Sequence, residues 1–204
     1  MKKNVVSLLL ATMFVVAGAV IAGSARSFDA DVPAPPAIGA TIEDFTLPDA
    51  NGKDVSLASV KGKNGSILIF MATQCPVSNA YNERMEKLAQ DYQARGITVV
   101  GINSNFSEGL DAVKEHAASH KLTFTILKDA GNKIADRLGA SRTPEAYFLD
   151  ASNKLVYHGR IDNAKEVSQV SSSELRDALD ATLAGKPVAK TTANAFGCSI
   201  KRAE

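Results

Sequence analysis

Residues 67–70, Ile-Leu-Ile-Phe, are apolar without alternation, the pattern of a strand covered on both faces. The period then changes. Val77, Tyr81, Met85, Leu88 and Tyr92 recur at helical spacing, and Pro76 suits a first helical position because its missing N–H would be an orphan there. One long helix is therefore predicted from Pro76. Further buried strands are predicted at 97–102 and 124–127, with a helix between them running from a Ser107 cap to His120. Strand, helix, strand implies a parallel, right-handed crossover. A short helix follows at 132–138, closed by Gly139. Residues 146–149 and 154–158 flank the turn DASN as an antiparallel pair. Ser171 and Glu174 have capping-box spacing ahead of a helix whose Leu175, Leu179 and Leu183 line one face and which Gly185 and Pro187 end. Before the central strand, 42–47 and 54–57 flank Asn51-Gly52, which predicts a small antiparallel hairpin. The pattern is that of an α/β domain over 38–187, with no internal repeat and no second domain.

The N-terminus changes the context in which this domain is read. Two lysines, an apolar run from Val5 to Ala22 and the small residues Gly23, Ser24 and Ala25 form a secretory signal over 1–25, long enough that an uncleaved anchor is the second reading. Residues 26–37, proline-rich and polar, read as an extended linker, and 188–204 as a tail. Cleavage after Ala25 removes Lys2 and Lys3 and leaves 21 basic against 22 acidic groups from the full chain's 23 and 22. Nothing in that balance attracts nucleic acid. A periplasmic or secreted location makes a bridge between the two cysteines, Cys75 and Cys198, chemically accessible.

Cys75 falls at the junction of the predicted strand and helix, at the N-cap. There its sulfur faces unpaired backbone N–H groups and the positive end of the helix dipole, which favour thiolate over thiol. The bland alternative is an inert cysteine that packs. Cys198 stands in TTANAFGCSIKRAE, where three roles compete: resolving thiol for Cys75, partner in a structural bridge, and intermolecular link. Gly197 and the small residues before it favour a mobile tail that docks on oxidation and retracts on reduction. His116 and His120 share a helical face, but no further ligand accompanies them, so a solvated face is preferred to a metal site.

FMATQCPVS resembles the FWATWCxxC segment of the periplasmic TlpA/ResA-type thioredoxins, and RTPEAYFLD with KLVYHGRI resembles their Thr-cis-Pro strand and final hairpin. FTLPDANGKDVSLASVKGK is similar to a segment shared with the redoxin (AhpC/TSA) branch, and FGCSIKR resembles the ending of exported redoxin-domain proteins with a CPxSNxYxxRM helix. The resemblance implies a thioredoxin-like fold, a central mixed β-sheet flanked by helices with an N-terminal β-hairpin extension. It also implies that Thr143-Pro144 is cis and lies against Cys75, offering backbone groups to an extended substrate segment.

The departures shape the chemistry. Ser78 stands where thioredoxins have the second cysteine, so a CxxC bridge cannot form; Gln74 replaces the usual tryptophan, and Ile69 the buried acid. The peroxiredoxin positions for Thr and Pro are held by Ala72 and Leu68. Asn79 excludes the CxxxC of copper chaperones. Cys75, Cys198, Ser78, Thr143 and Pro144 are the candidate catalytic residues, with Ser78 read as a hydroxyl donor to the sulfur. Thr73, Gln74, Pro76 and Arg142 are candidate substrate contacts, Arg142 either aimed at the pocket or a solvated loop charge.

The sequence thus predicts an exported thiol-disulfide oxidoreductase with Cys75 as nucleophile, without cofactor or metal. Its expected partners are protein or small-molecule thiols and disulfides, or a peroxide, and an external thiol reductant; a membrane is a partner only if the leader is retained. Alternatives are a thiol peroxidase and a non-catalytic binding module stapled by Cys75 and Cys198.

Overall fold

The computed structural model describes residues 32–202, so the predicted leader lies outside the described residues. The elements run β1 (Thr46–Pro48), β2 (Asp54–Ser56), α1 (Leu57–Val60), β3 (Gly65–Phe70), α2 (Pro76–Ala80), α3 (Asn82–Gln93), β4 (Ile97–Asn103), α4 (Leu110–Ser119) and β5 (Thr125–Lys128). They continue with α5 (Lys133–Leu138), β6 (Arg142–Thr143), β7 (Glu145–Asp150), β8 (Leu155–Gly159), α6 (Glu174–Leu183) and β9 (Cys198–Ser199).

A mixed sheet in the order β5–β4–β3–β7–β8 forms the centre. β4 and β5 are parallel, whereas β7 is antiparallel to both β3 and β8. β3 meets β4 where Met71 N–H donates to Ile102 O at 2.9 Å. All six residues of β3 are buried, as its unbroken apolar run requires. Its pleat splits the core: Ile67 and Ile69 pack with Met85, Leu88, Tyr92, Leu175 and Leu179 on one face, and Leu68 and Phe70 pack with Leu57, Ile134 and Leu138 on the other. The N-terminal hairpin is present as β1 and β2, its turn held by Asp49, whose carboxylate accepts the N–H groups of Asn51 and Lys53 at 2.8 and 3.0 Å.

Several boundaries differ from the sequence expectation, each for a tertiary reason. The hairpin stops at Ser56, because Ser56 Oγ accepts Ser59 N–H and starts α1. The single long helix is two. Tyr81 separates α2 from α3, its hydroxyl donating to buried Asp162 and to Ala164 O at 2.7 and 2.8 Å while Arg84 stacks on its ring. Ser107 caps nothing, and α4 starts from Gly109, because Glu108 turns inward to bind the loop before Cys75. Ser173, not Ser171, precedes α6; Ser171 N–H is taken by Asn163 Oδ1 at 2.9 Å. His116 is buried against Asn82 rather than on a solvated face, while His120 beside it is exposed.

Glu174, at the start of α6, also departs from a capping role. Its carboxylate pairs with Arg160 and with Lys190 Nζ at 3.0 Å. The Arg160 hydrogen bond outweighs burial and holds the carboxyl at about 2, below its ordinary 4.5. A depressed carboxyl contributes stability that is present above its unfolded pKa and is lost as pH falls through that value toward about 2. Acid unfolding of Glu174→Gln is therefore expected to be flatter than wild type between these limits. The lost contribution is on the order of 2–3 kcal/mol; parallel denaturation curves for the two proteins would contradict it.

Candidate active site

Cys75 sits at the N-cap of α2 with extended backbone, Pro76 occupies the first helical position, and the cysteine is 3% exposed. The group that reaches its sulfur is the backbone N–H of Ser78, at 3.3 Å. The Ser78 hydroxyl is engaged elsewhere: buried with its residue, Ser78 Oγ accepts Ala72 N–H at 3.1 Å. It therefore pins the strand-to-helix turn from below instead of donating to sulfur. Because α2 is interrupted at Tyr81, this local N–H is the device by which the helix start favours an anionic sulfur.

Ser78→Ala is expected to leave Ala72 N–H buried and unpaired, lowering stability by about 1–3 kcal/mol. The backbone donor to sulfur survives that change. Iodoacetamide reactivity of reduced Cys75 should accordingly stay within a few-fold of wild type; a collapse of reactivity in the folded variant would return the supporting role to the hydroxyl.

The loop before Cys75 is held by a carboxylate that sequence reasoning missed. Glu108, 1% exposed, accepts Thr73 N–H at 2.8 Å and Gln74 N–H at 3.1 Å, as well as Asn103 and Asn105 side-chain amides at 2.5 and 2.9 Å. Burial pushes its carboxyl up, and the Thr73, Asn105, Asn103 and Gln74 donors more than reverse this, leaving it below the usual range. Asn79 Nδ2 closes the turn from the other side, on Thr73 O at 2.9 Å. Gln74 and Pro76 are exposed beside the buried sulfur, and Thr73 is half-buried.

Opposite Cys75 runs the segment 141–145, with Thr143–Pro144 cis. Cys75 Sγ lies 3.3 Å from Thr143 O. A second unforeseen carboxylate, Glu145, shapes this segment. It is 3% exposed and accepts Ser141 and Arg142 N–H at 2.8 and 2.9 Å, His158 Nε2 at 2.6 Å and the Tyr147 hydroxyl at 3.2 Å. Burial raises its carboxyl, but the His158 hydrogen bond and the Arg142 and Ser141 N–H groups bring it below its ordinary value. The acid absent at position 69 thus has no single substitute: one carboxylate stands under each half of the site.

Cys198 is bonded to Cys75, with a Cα–Cα distance of 5.9 Å across 123 residues. The tail that carries it is docked along its described length. Thr191 O accepts His158 N–H at 3.0 Å, and Ala193 N–H donates to His158 O at 3.1 Å. Phe196 meets the Tyr81 ring edge-on, centroids 6.2 Å apart. β9 then pairs antiparallel with β6, Thr143 opposite Cys198 and Arg142 opposite Ser199. Arg142 Nη1 donates to Ser199 Oγ at 2.7 Å, so the arginine grips the tail. Gly197 serves close approach: at φ +143° a Cβ there would overlap Thr143 O.

The structure thus brings Cys75, Cys198, Ser78, Thr143, Pro144 and Arg142 together, with Thr73, Gln74 and Pro76 on the rim. The architecture is a thioredoxin-like fold with a cysteine pair closed between a helix start and a cis-proline strand. The AhpC/TSA family model matches residues 38–158, and the chain belongs to that family. It is similar to chloroplastic peroxiredoxin Q of Suaeda salsa, 30% identical over 157 residues, 71% of this chain and 70% of that protein. It is also similar to the thiol-disulfide oxidoreductase ResA of Bacillus anthracis, 28% identical over 156 residues, 76% of this chain and 88% of that one. Among solved structures, a hypothetical protein of Sinorhizobium meliloti 1021 superposes with a TM-score of 0.76 at 35% identity, covering 82% of this chain and 96% of the other. The protein is an oxidoreductase of the redoxin type.

Proposed function

We propose that this redoxin is an exported thiol-disulfide oxidoreductase in which Cys75 is the nucleophile and Cys198 the resolving thiol. The observation that carries the reading is the Cys75–Cys198 bond itself, set at a helix N-cap with Ser78 N–H on the sulfur and a cis-proline segment alongside. In the forward direction the Cys75 thiolate attacks a substrate disulfide, the new Cys75–substrate bond forms, and the other substrate sulfur leaves as a thiolate. Cys198, as thiolate, then attacks Cys75 Sγ and releases the second substrate sulfur. The substrate gains two electrons and two protons, and the protein dithiol becomes the disulfide. An external thiol then attacks the Cys75–Cys198 disulfide to give a mixed disulfide and one free protein thiol, and a second external thiol resolves it, so that two reductant thiols become a disulfide and both cysteines return to thiols. Cys198 is the more exposed of the two sulfur-bearing residues, so the reductant meets it first.

Export is supported by the N-terminal signal pattern and by the use of a disulfide in the resting site. The test of the reading is peptide mapping after one equivalent of a small disulfide is added to the reduced protein. A linked Cys75–Cys198 peptide together with stoichiometric reduced product supports it. A pair that mild thiols cannot open, or that fails to reform, assigns the bridge to a binding module. The peroxiredoxin Q relative favours a peroxidase as second reading. In that case Cys75 would pass through a sulfenic acid that Cys198 condenses with, releasing water. The same mapping with hydrogen peroxide separates the two, because faster turnover of peroxide than of disulfide would select it.

A further inference from the structure

The docked tail occupies the site as an extended peptide, and successive positions are met by different devices. Gly197 passes Thr143 O and Pro144 N so closely that no Cβ fits. Cys198 pairs with Thr143, and Ser199 Oγ takes the Arg142 hydrogen bond. Ile200 is 5% exposed, sits in the same cluster as Ile134, Leu138 and Ala140, and donates its N–H to Ser141 O at 3.0 Å. Lys201 is held only by its backbone, N–H to Asn105 Oδ1 at 2.7 Å and O from Phe106 N–H at 2.9 Å. This is strand addition with alternating side-chain readout: an edge supplies main-chain partners, and pockets choose side chains.

We infer that this groove selects its substrate by sequence, taking an extended polypeptide segment whose cysteine has glycine immediately before it, a small hydroxyl residue after it and an aliphatic residue next. The inference rests on the reading of Cys75 as nucleophile. A substrate cysteine that bonds to Cys75 must bring its sulfur to the place Cys198 sulfur now fills, and its neighbours then run along Thr143 and Ser141. The tail is in this sense a tethered copy of the substrate. Reduction frees Cys198 and lets the tail vacate the groove. Substrate enters, and Cys75 thiolate attacks its cysteine sulfur while the partner sulfur departs as a thiolate. When the tail returns, Cys198 attacks Cys75 Sγ, and the substrate leaves as its reduced thiol. Tail and substrate therefore compete for one set of contacts, and the more closely a substrate matches the tail, the longer its mixed disulfide with Cys75 survives.

The experiment uses reduced full-length Cys198→Ser protein and synthetic hexapeptides whose cysteine is capped as a thionitrobenzoate disulfide. Release of the coloured leaving group on attack by Cys75 gives the rate. The peptide FGCSIK is expected to react faster than FVCSIK, with valine for the glycine, and than FGCSDK, with aspartate for the isoleucine, by on the order of tenfold each. A small aromatic disulfide serves as the reference for intrinsic sulfur reactivity. In the double variant Cys198→Ser, Ile200→Asp, the tail loses its anchor and uncovers Cys75, so both rates should rise while the FGCSIK preference over FVCSIK and FGCSDK, taken relative to the small disulfide, is kept. Equal rates for the three peptides, with the small disulfide still consumed by Cys75, would overturn the subsite and leave the nucleophile reading standing. Failure of every disulfide, the small one included, would remove the nucleophile reading and the subsite with it.

Discussion

Replacing Cys75 with serine is expected to abolish disulfide turnover, by on the order of 10³-fold or more, while Cys198→Ser halts the cycle midway with substrate bonded to Cys75. The two losses have different causes. A serine hydroxyl at position 75 has no accessible anion at neutral pH, and the Ser78 N–H that meets the sulfur cannot create one. With Cys198 removed, the first exchange still proceeds, because the N-cap, Glu108 and the cis-proline strand are intact. Resolution then waits on an external thiol, since position 78 offers only a hydroxyl that is already bound to Ala72 N–H. Mass spectrometry of the trapped adduct reads this directly. A Cys75→Ser protein that still turns over would move the nucleophile to Cys198, and a Cys198→Ser protein that cycles unaided would leave the tail without a catalytic part.

Local patterns in the sequence were enough to locate one half of this site. Four consecutive apolar residues, a cysteine and a proline at a first helical position define a buried strand meeting a helix, because both signals act over a few residues. The resemblance of RTPEAYFLD supplied the cis-proline, which periodicity alone does not encode. Glu108 and Glu145 were illegible for the opposite reason. Nothing near either in sequence marks it as buried, and each becomes so only when folding brings it main-chain N–H donors: Thr73 and Gln74, 35 and 34 positions away, for Glu108, and the tightly turned Ser141 and Arg142 for Glu145. The same inward pull on Glu108 displaced the expected cap at Ser107. Tyr81 fits the helical stripe of apolar residues, yet its hydroxyl is captured by Asp162 and the helix breaks there. In the tail, composition was a poor guide. Gly197 reads as a flexible residue, whereas its lack of a side chain is what permits contact with Thr143, and Ile200 is a core residue that arrives from beyond the last helix.

Opening the Cys75–Cys198 bond is expected to cost the protein about 3–5 kcal/mol of stability. The bridge joins residues 123 apart, and in the chain-entropy model a loop of that length removes about 5 kcal/mol worth of freedom from the unfolded chain. The tail's own contacts do not vanish on reduction. Burial of Ile200 alone contributes about 1.5–3 kcal/mol relative to an exposed side chain, and the pairing of β9 with β6 adds hydrogen bonds. Those contacts hold 196–202 near the groove, so a reduced tail is released only part of the time, and the folded body around the five-stranded sheet persists. Linkage makes the effect reciprocal: whatever the bond contributes to the folded state, the folded state returns to the bond, so the dithiol closes more readily in the native protein than in the unfolded chain. Urea unfolding of oxidised and reduced wild type should differ by the stated amount, and Cys198→Ser should follow the reduced curve under both conditions. The accompanying shift in Tm is about 10 °C for a domain of this size. Coincident oxidised and reduced curves would mean that the long loop is already closed in the unfolded ensemble, and the tail would then be held by its contacts rather than by its sulfur.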